Sequence, residues 1–302
     1  MPGEHEALGY GEGIVAFVDL LGFRERVKQS KGNAALVREI WEILQSSRAY
    51  VEDVPGGGIT GATAYQFSDT VVFYMPSSER ESARAFFNWL TTFQMEAVNR
   101  GWLMRGGLAV GDVLVDGPVL FGPAMIRAHD LERMAVWPRQ IVDPQMEAGD
   151  FADVVHNYCT VSVDGFPALD YLGTMAARGI SATAGIETRA GKNLGGGESS
   201  CDLDSVMGIT EFILHGEVIS RALADDSIVA ESRVWARYSW LATCHNATIR
   251  TLCGAADGDG QARDSFLARL EWLGGSELDG VDRSALVNVL QRMASAVEDL
   301  EI

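Results

Sequence analysis

A wholly apolar run that ends on an acid sets the first constraint on this chain. Ile14-Val15-Ala16-Phe17-Val18 is continuous and of strand length, and Asp19 closes it. A strand without a polar face has to be covered on both sides, so the sheet that holds it is a central layer and not a solvated surface. The next segment carries Leu36, Ile40, Ile43 and Leu44 at helical spacing. Thr63 to Phe67 and Thr70 to Met75 then read as two strands joined by the Ser68-Asp69 turn. A second helix puts Ala83, Phe86, Phe87, Leu90 and Phe93 on one face, and a strand from Trp102 to Val110 follows. That order is β-α-β-β-α-β, the split βαβ or ferredoxin-like unit, and the predicted class is α+β.

Further elements are expected at Val113 to Val115, in a helix from Phe121 to Met134, at Gln140 to Val142 and at Thr160 to Val163. Gly56-Gly57-Gly58 and Gly195-Gly196-Gly197 read as loops, and composition changes at the second. Beyond Asp202 the pattern is mostly helical. This gives an expected catalytic-type domain over 1–197 and a helical extension over 198–302.

Charge and cysteine usage narrow the function. Acids outnumber bases 42 to 24, a formal charge of −18 over 302 residues, which repels polyphosphate backbones and disfavours nucleic acid as a partner. No apolar run reaches the ~18 residues of a membrane span, and none follows a basic start as in a signal peptide. Cys159, Cys201, Cys244 and Cys253 have no zinc spacing and read as small buried apolar residues. A cytoplasmic protein without membrane contact is the expectation.

Two acids carry the chemistry. In a split βαβ unit the first and third strands are antiparallel neighbours, so Asp19, ending the first, comes to lie beside Asp69, opening the third. Alone, each reads equally as a helix cap or an Asx turn. Together they repel unless a cation offsets them. Hard oxygen ligands on a rigid sheet edge suit Mg²⁺ or Mn²⁺, and two such ions form the clamp used for in-line phosphoryl transfer. The segment Leu20-Leu21-Gly22-Phe23 runs from strand toward helix, where backbone N–H groups can face phosphates.

These residues carry a resemblance. Phe17-Val18-Asp19-Leu20-Leu21-Gly22-Phe23, then Phe67-Ser68-Asp69-Thr70, then Arg105-Gly106-Gly107-Leu108-Ala109-Val110-Gly111 resemble the successive signatures of class III nucleotide cyclase catalytic domains, over residues 12 to 190. The resemblance implies that Asp19, Asp69 and the carbonyl of Leu20 hold two metal ions. It implies that Phe17 and Leu20 to Phe23 line the substrate. The reaction it implies is attack of a nucleoside triphosphate's 3′-hydroxyl on its own α-phosphate, in a head-to-tail homodimer.

The departures point to the base. Where purine cyclases carry a base-reading Lys or Glu, this chain has Tyr65, and the second such position falls near Val119. The partner-helix Asn and Arg fall, counted from Gly122, on Ile126 and Asp130. Transition-state charge then falls to Arg105 or Arg127. This divergence is similar to the pyrimidine cyclases of the bacterial Pycsar antiphage systems, which implies UTP or CTP as substrate, UTP favoured, and a separate effector that senses the product. Tyr65 is the expected base contact. Lys192 is a weaker candidate for the γ-phosphate. The five histidines have neither metal nor triad spacing. Trp235, Tyr238, Trp240 and Leu241 read as packing or dimer contacts. A rival class is a cyclase-like module that binds nucleotide or a partner without turnover.

Overall fold

A computed structural model describes residues 9–52, 61–76, 80–162, 164–194, 209–258, 260–274, 278–297 and 299–300. The chain divides into two compact units. One comprises Met1–Ala97 with Trp102–Leu169, the other Val98–Gly101 with Asp170–Ile302. The expected boundary at 197 falls outside the described residues, and the observed division lies at Leu169/Asp170. Helix α7 (Tyr171–Leu194) packs on α8 (Ile209–Leu223), α11 (Gly260–Gly274) and α12 (Arg283–Ala296), which assigns it to the second unit.

The first unit is built on one mixed sheet. Its elements begin β1 (Gly11–Leu21), α1 (Phe23–Gln29), α2 (Ala34–Glu52), β2 (Thr63–Phe67), β3 (Thr70–Pro76), α3 (Arg80–Asn99) and β4 (Leu103–Asp116). They continue β5 (Val119–Phe121), α4 (Pro123–Met134), β6 (Gln140–Val142), α5 (Pro144–Glu147), α6 (Ala152–Tyr158), β7 (Cys159–Val161) and β8 (Pro167–Leu169). The strand order is β2-β3-β1-β4-β6-β8-β7, with β5 paired to β4. Each neighbouring pair among β2, β3, β1 and β4 is antiparallel, with β1 between β3 and β4, and β6 then joins β4 in parallel. The two strands expected at Trp102 to Val110 and Val113 to Val115 are one, β4.

The apolar run is covered on both faces, as its composition requires. On one face Phe73 of β3 packs edge-on against Trp89 of α3, 4.4 Å between ring centres, and lies 5.9 Å from Phe93. On the other, Val15, Tyr65, Val72, Ala109 and Val113 pack with Ala124, Ala128 and Leu131 of α4. Full burial of a side chain of this size is worth ~1.5–3 kcal/mol, so both layers contribute to holding β1 central. Gly107 lets α4 close on bare backbone. A Cβ there would stand 2.1 Å from the Ala128 carbonyl oxygen and 2.6 Å from the Glu132 nitrogen. Helix α4 is therefore pinned to β4 at the turn that carries Glu132.

The second unit is helical, with α9 (Asp226–Val229) and α10 (Ser232–Asp257) beside the helices already given. At its centre Tyr171 Oη lies 2.8 Å from His215 Nε2, and His215 Nδ1 lies 3.1 Å from His245 Nδ1. Phe212 stacks on His245 at 4.4 Å. Tyr238 and Leu241 are buried, which fits packing for this part of α10. Among the described residues no helix is long and apolar enough to cross a membrane.

Candidate active site

Strand register assembles the site. Asp19 pairs with Thr70 across β1 and β3, and with Arg105 across β1 and β4. One step on, the Leu20 amide donates to the Asp69 carbonyl at 2.8 Å. A 50-residue separation in sequence thus closes to neighbouring backbone positions at one end of the central strands. Ser68 supports the turn with φ +59°, the one non-glycine positive φ among the described residues.

The cation already present is Arg105. Its Nε donates to Asp19 Oδ2 at 3.4 Å and lies 2.6 Å from Glu132 Oε1. The N–H is directed at Asp19, so Glu132 receives charge from Arg105 without accepting its hydrogen bond. Glu132 Oε1 is buried and has no hydrogen-bond donor. Burial raises the Glu132 carboxyl above the usual range, Arg105 opposes that rise, and Asp19 adds to it. Glu132 is a third acid that sequence reasoning missed.

Geometry bears on four of the expected substrate contacts. The Leu20 amide does not face a phosphate, because Asp69 takes it. Leu20 and Leu21 remain strand, paired with Met104 and Leu103, so the strand-to-helix turn begins only at Gly22, whose φ is +80°. Helix α1 has seven residues, too short to supply a full phosphate-binding terminus, and Phe23 packs in the core beside Trp102 at 6.1 Å. The Tyr65 hydroxyl donates to the Gly117 carbonyl at 3.0 Å and the ring is buried in the α4-side cluster, which commits its polar group to backbone.

Arg127 is likewise engaged. It makes a two-pronged contact with Asp143, Nε to Oδ2 at 2.6 Å and Nη2 to Oδ1 at 3.2 Å. Asp143 also caps α5 by accepting from the Gln145 amide at 3.1 Å. Arg127 therefore belongs to the scaffold that ties α4 to the loop after β6. The Lys192 side chain lies outside the described residues.

Phe17, two residues before Asp19 and on the same face of β1, lies at an apolar groove of about 570 Å³ lined by Tyr10, Phe121, Pro123, Met125, Ile126 and His129. Its ring meets His129 edge-on at 5.0 Å. Ile126 is 64% exposed there, and Val119, the second expected base position, is also exposed.

The donor set fits a hard divalent cation. Two carboxylates and a backbone carbonyl are available at the strand ends, and Mg²⁺ or Mn²⁺ completes its shell with water and phosphate oxygens. Asp19 and Glu132 share the single guanidinium of Arg105, at 3.4 Å and 2.6 Å, so at this end two carboxylates face one cation. Among the described residues no three His, Cys, Asp or Glu side chains converge as a complete metal cage.

No family model matches the chain, and no curated protein matches it. Among solved structures it is similar to the adenylyl cyclase CyaB from P. aeruginosa, at 14% identity, over 53% of this chain and 92% of that one, with a TM-score of 0.37. The α+β architecture described above rests on this chain's own strand pairing and not on that likeness.

Proposed function

We propose that the chain is a class III-type nucleotide cyclase of ferredoxin-like βαββαβ core, acting on a pyrimidine nucleoside triphosphate. The observation that carries this reading is the Leu20–Asp69 backbone bond, which brings Asp19 and Asp69 to one sheet end with Arg105 on the adjoining strand. The reaction is attack of the substrate's 3′-oxygen on its α-phosphorus. The 3′-hydroxyl proton passes to solvent, the bond from the α-phosphorus to the oxygen bridging the β-phosphate breaks, and the products are pyrophosphate and a 3′,5′-cyclic nucleotide. Asp19, Asp69 and the Leu20 carbonyl would hold Mg²⁺ or Mn²⁺ here, which when bound would supply Lewis-acid chemistry for the attacking oxygen and the leaving phosphates. Arg105, with a side chain 30% exposed, is the protein's own cation for the charge that builds on the phosphates.

UTP is the favoured substrate, with CTP the close alternative. The support is the lack of a purine-reading charge at Tyr65 and Val119, and not a contact from the Tyr65 hydroxyl. A homodimer is part of the proposal, since exposed Ile126, Tyr10 and Phe121 form an apolar groove that a second copy would cover. The product is proposed to act as a second messenger in antiphage defence, sensed by a separate effector, with the enzyme in the cytoplasm.

One observation favours a second reading, a cyclase-like module that binds nucleotide without turnover. Arg127, a candidate for transition-state charge, is held by Asp143. Incubation of the purified protein with Mn²⁺ and each of the four nucleoside triphosphates, read by mass spectrometry with Asp69→Ala as control, separates the two. Cyclic UMP or cyclic CMP that disappears in the variant supports the cyclase. A cyclic purine keeps the chemistry and overturns the base assignment. Metal-dependent nucleotide binding with no product from any nucleotide favours the binding module.

A further inference from the structure

The pair formed by Arg105 and Glu132 does more than neutralise charge. Glu132 is fixed by its helix, because α4 rests on Gly107 with backbone against backbone. Its side chain is only 5% exposed and one of its oxygens has no hydrogen-bond donor. Arg105 is the longer and more exposed partner; its Nε lies 2.6 Å from Glu132 Oε1 while its N–H is directed at Asp19, 3.4 Å away. The guanidinium is thus divided between a carboxylate on a helix backbone held close to β4 and one that the proposed chemistry needs for a cation.

We infer that Glu132 is a positioning residue that draws Arg105 off Asp19 when a divalent cation engages that aspartate. This rests on the metal reading of Asp19 and Asp69. A cation arriving at Asp19 repels the guanidinium and takes its acceptor. Without Glu132, Arg105 would lose its hydrogen bond and remain as a competitor for the same carboxylate. With Glu132, it rotates to an acceptor that is buried, anionic and lacking a donor, and supplies the missing bond. The cost of displacing Arg105 is returned at Glu132, so cation affinity and the Arg105–Glu132 pair are linked. The same rotation leaves Arg105 anchored at one end beside the phosphates.

The test is a double-mutant cycle on Mn²⁺ affinity without nucleotide, measured from free Mn²⁺ by electron paramagnetic resonance. Glu132→Gln is expected to weaken binding about tenfold in the otherwise native chain, and less than about twofold when Arg105 is already Met. Glu132→Asp keeps the charge but retracts the carboxylate by one methylene, and is expected to weaken binding in the native background as well. An equal loss from Glu132→Gln in both backgrounds, with Glu132→Asp unchanged, makes Glu132 a through-space charge and overturns the inference. No loss in any variant overturns it too. If the native chain and Asp19→Asn alike fail to bind Mn²⁺, the metal reading itself falls and takes this inference with it. Should Glu132→Gln not fold, Glu132→Asp with and without Arg105→Met gives the same decision.

Discussion

The amide of Leu20 donates to the carbonyl of Asp69 at 2.8 Å, one residue past the point where Asp19 pairs with Thr70. The hairpin β2–β3 is thereby stitched to β1 at its last turn, and the two aspartates are set by backbone rather than by their own side chains. Their positions should therefore survive loss of either carboxylate. Asp19→Asn is expected to reduce cyclic-nucleotide formation by about two to three powers of ten, the scale of losing several kcal/mol of transition-state stabilisation. Its thermal midpoint should stay near that of the native chain, because Arg105 keeps Glu132 as an ionic partner. A large fall in the midpoint together with the activity would instead make Asp19 a structural residue.

The Tyr65 hydroxyl tests the base assignment directly. It spends its hydrogen on the Gly117 carbonyl at 3.0 Å, and burial holds the phenol above its ordinary range. Tyr65→Phe should cost about 1 kcal/mol in urea unfolding, the net worth of one hydrogen bond plus the carbonyl it leaves behind. The ratio of pyrimidine to purine turnover should not change. A shift in that ratio of about tenfold or more would return the hydroxyl to the nucleotide.

What could be read from sequence was whatever depends on short-range pattern. The run Ile14 to Val18 and the Ser68-Asp69 turn together dictate β1, β2 and β3, and antiparallel geometry then brings Asp19 and Asp69 together. Glu132 gave no such signal, since Asp130, Glu132 and Arg133 look alike as charges on one helix. What distinguishes Glu132 is the close approach that Gly107 permits on another element. The internal partners of Tyr65 and Arg127 are hidden from sequence for a related reason. Their partners, Gly117 and Asp143, lie 52 and 16 residues away in loops whose positions the local pattern does not fix. The compact division at Leu169/Asp170 is not legible in the glycine-rich stretch, because such a stretch marks a loop whereas a compact unit is defined by what its helices bury. Helix α7 buries itself against α8, α11 and α12.

The helical unit should weaken in mild acid. His215 and His245 face each other through their Nδ1 atoms at 3.1 Å, a contact in which one neutral ring donates and the other accepts, and the outer nitrogen of His215 meets Tyr171. Burial pushes both imidazoles down, His215 far below its ordinary value with His245 adding to the shift, and His245 to about 4. Asp299, which pairs with Arg250, pulls His245 the other way. Asp170, held by Arg269, and Cys244 bear on Tyr171 and not on either imidazole. A base with a depressed folded pKa is protonated first in the unfolded chain, so stability is full above pH ~6.5 and falls as pH drops toward 4. For His245 alone the loss between pH 6.5 and pH 5 is about 1.5 kcal/mol. Urea unfolding followed by tryptophan fluorescence at those two pH values should show it, and His245→Gln should flatten the slope. An equal slope in the variant would remove this histidine as its source.

Arg127 separates a scaffold cation from a phosphate ligand. Its two hydrogen bonds reach a carboxylate whose side chain is 3% exposed, while the guanidinium itself is 43% exposed. Truncation to Ala leaves the buried Asp143 charge with the Gln145 amide as a neutral donor and no cation beside it, and an unpaired buried charge is the costly state. Solvent at the arginine end reduces the full penalty of a buried pair, so about 1–2 kcal/mol is expected for Arg127→Ala. Replacing Asp143 by Asn as well should recover part of that loss, because the Asn oxygen still caps α5 while the unpaired charge is gone. Activity per folded molecule should stay within about threefold of native in the double variant, a change too small for the loss of a transition-state contact. A fall of about a hundredfold at undiminished stability would show that Arg127 leaves Asp143 to meet the substrate, and would restore it to the catalytic set.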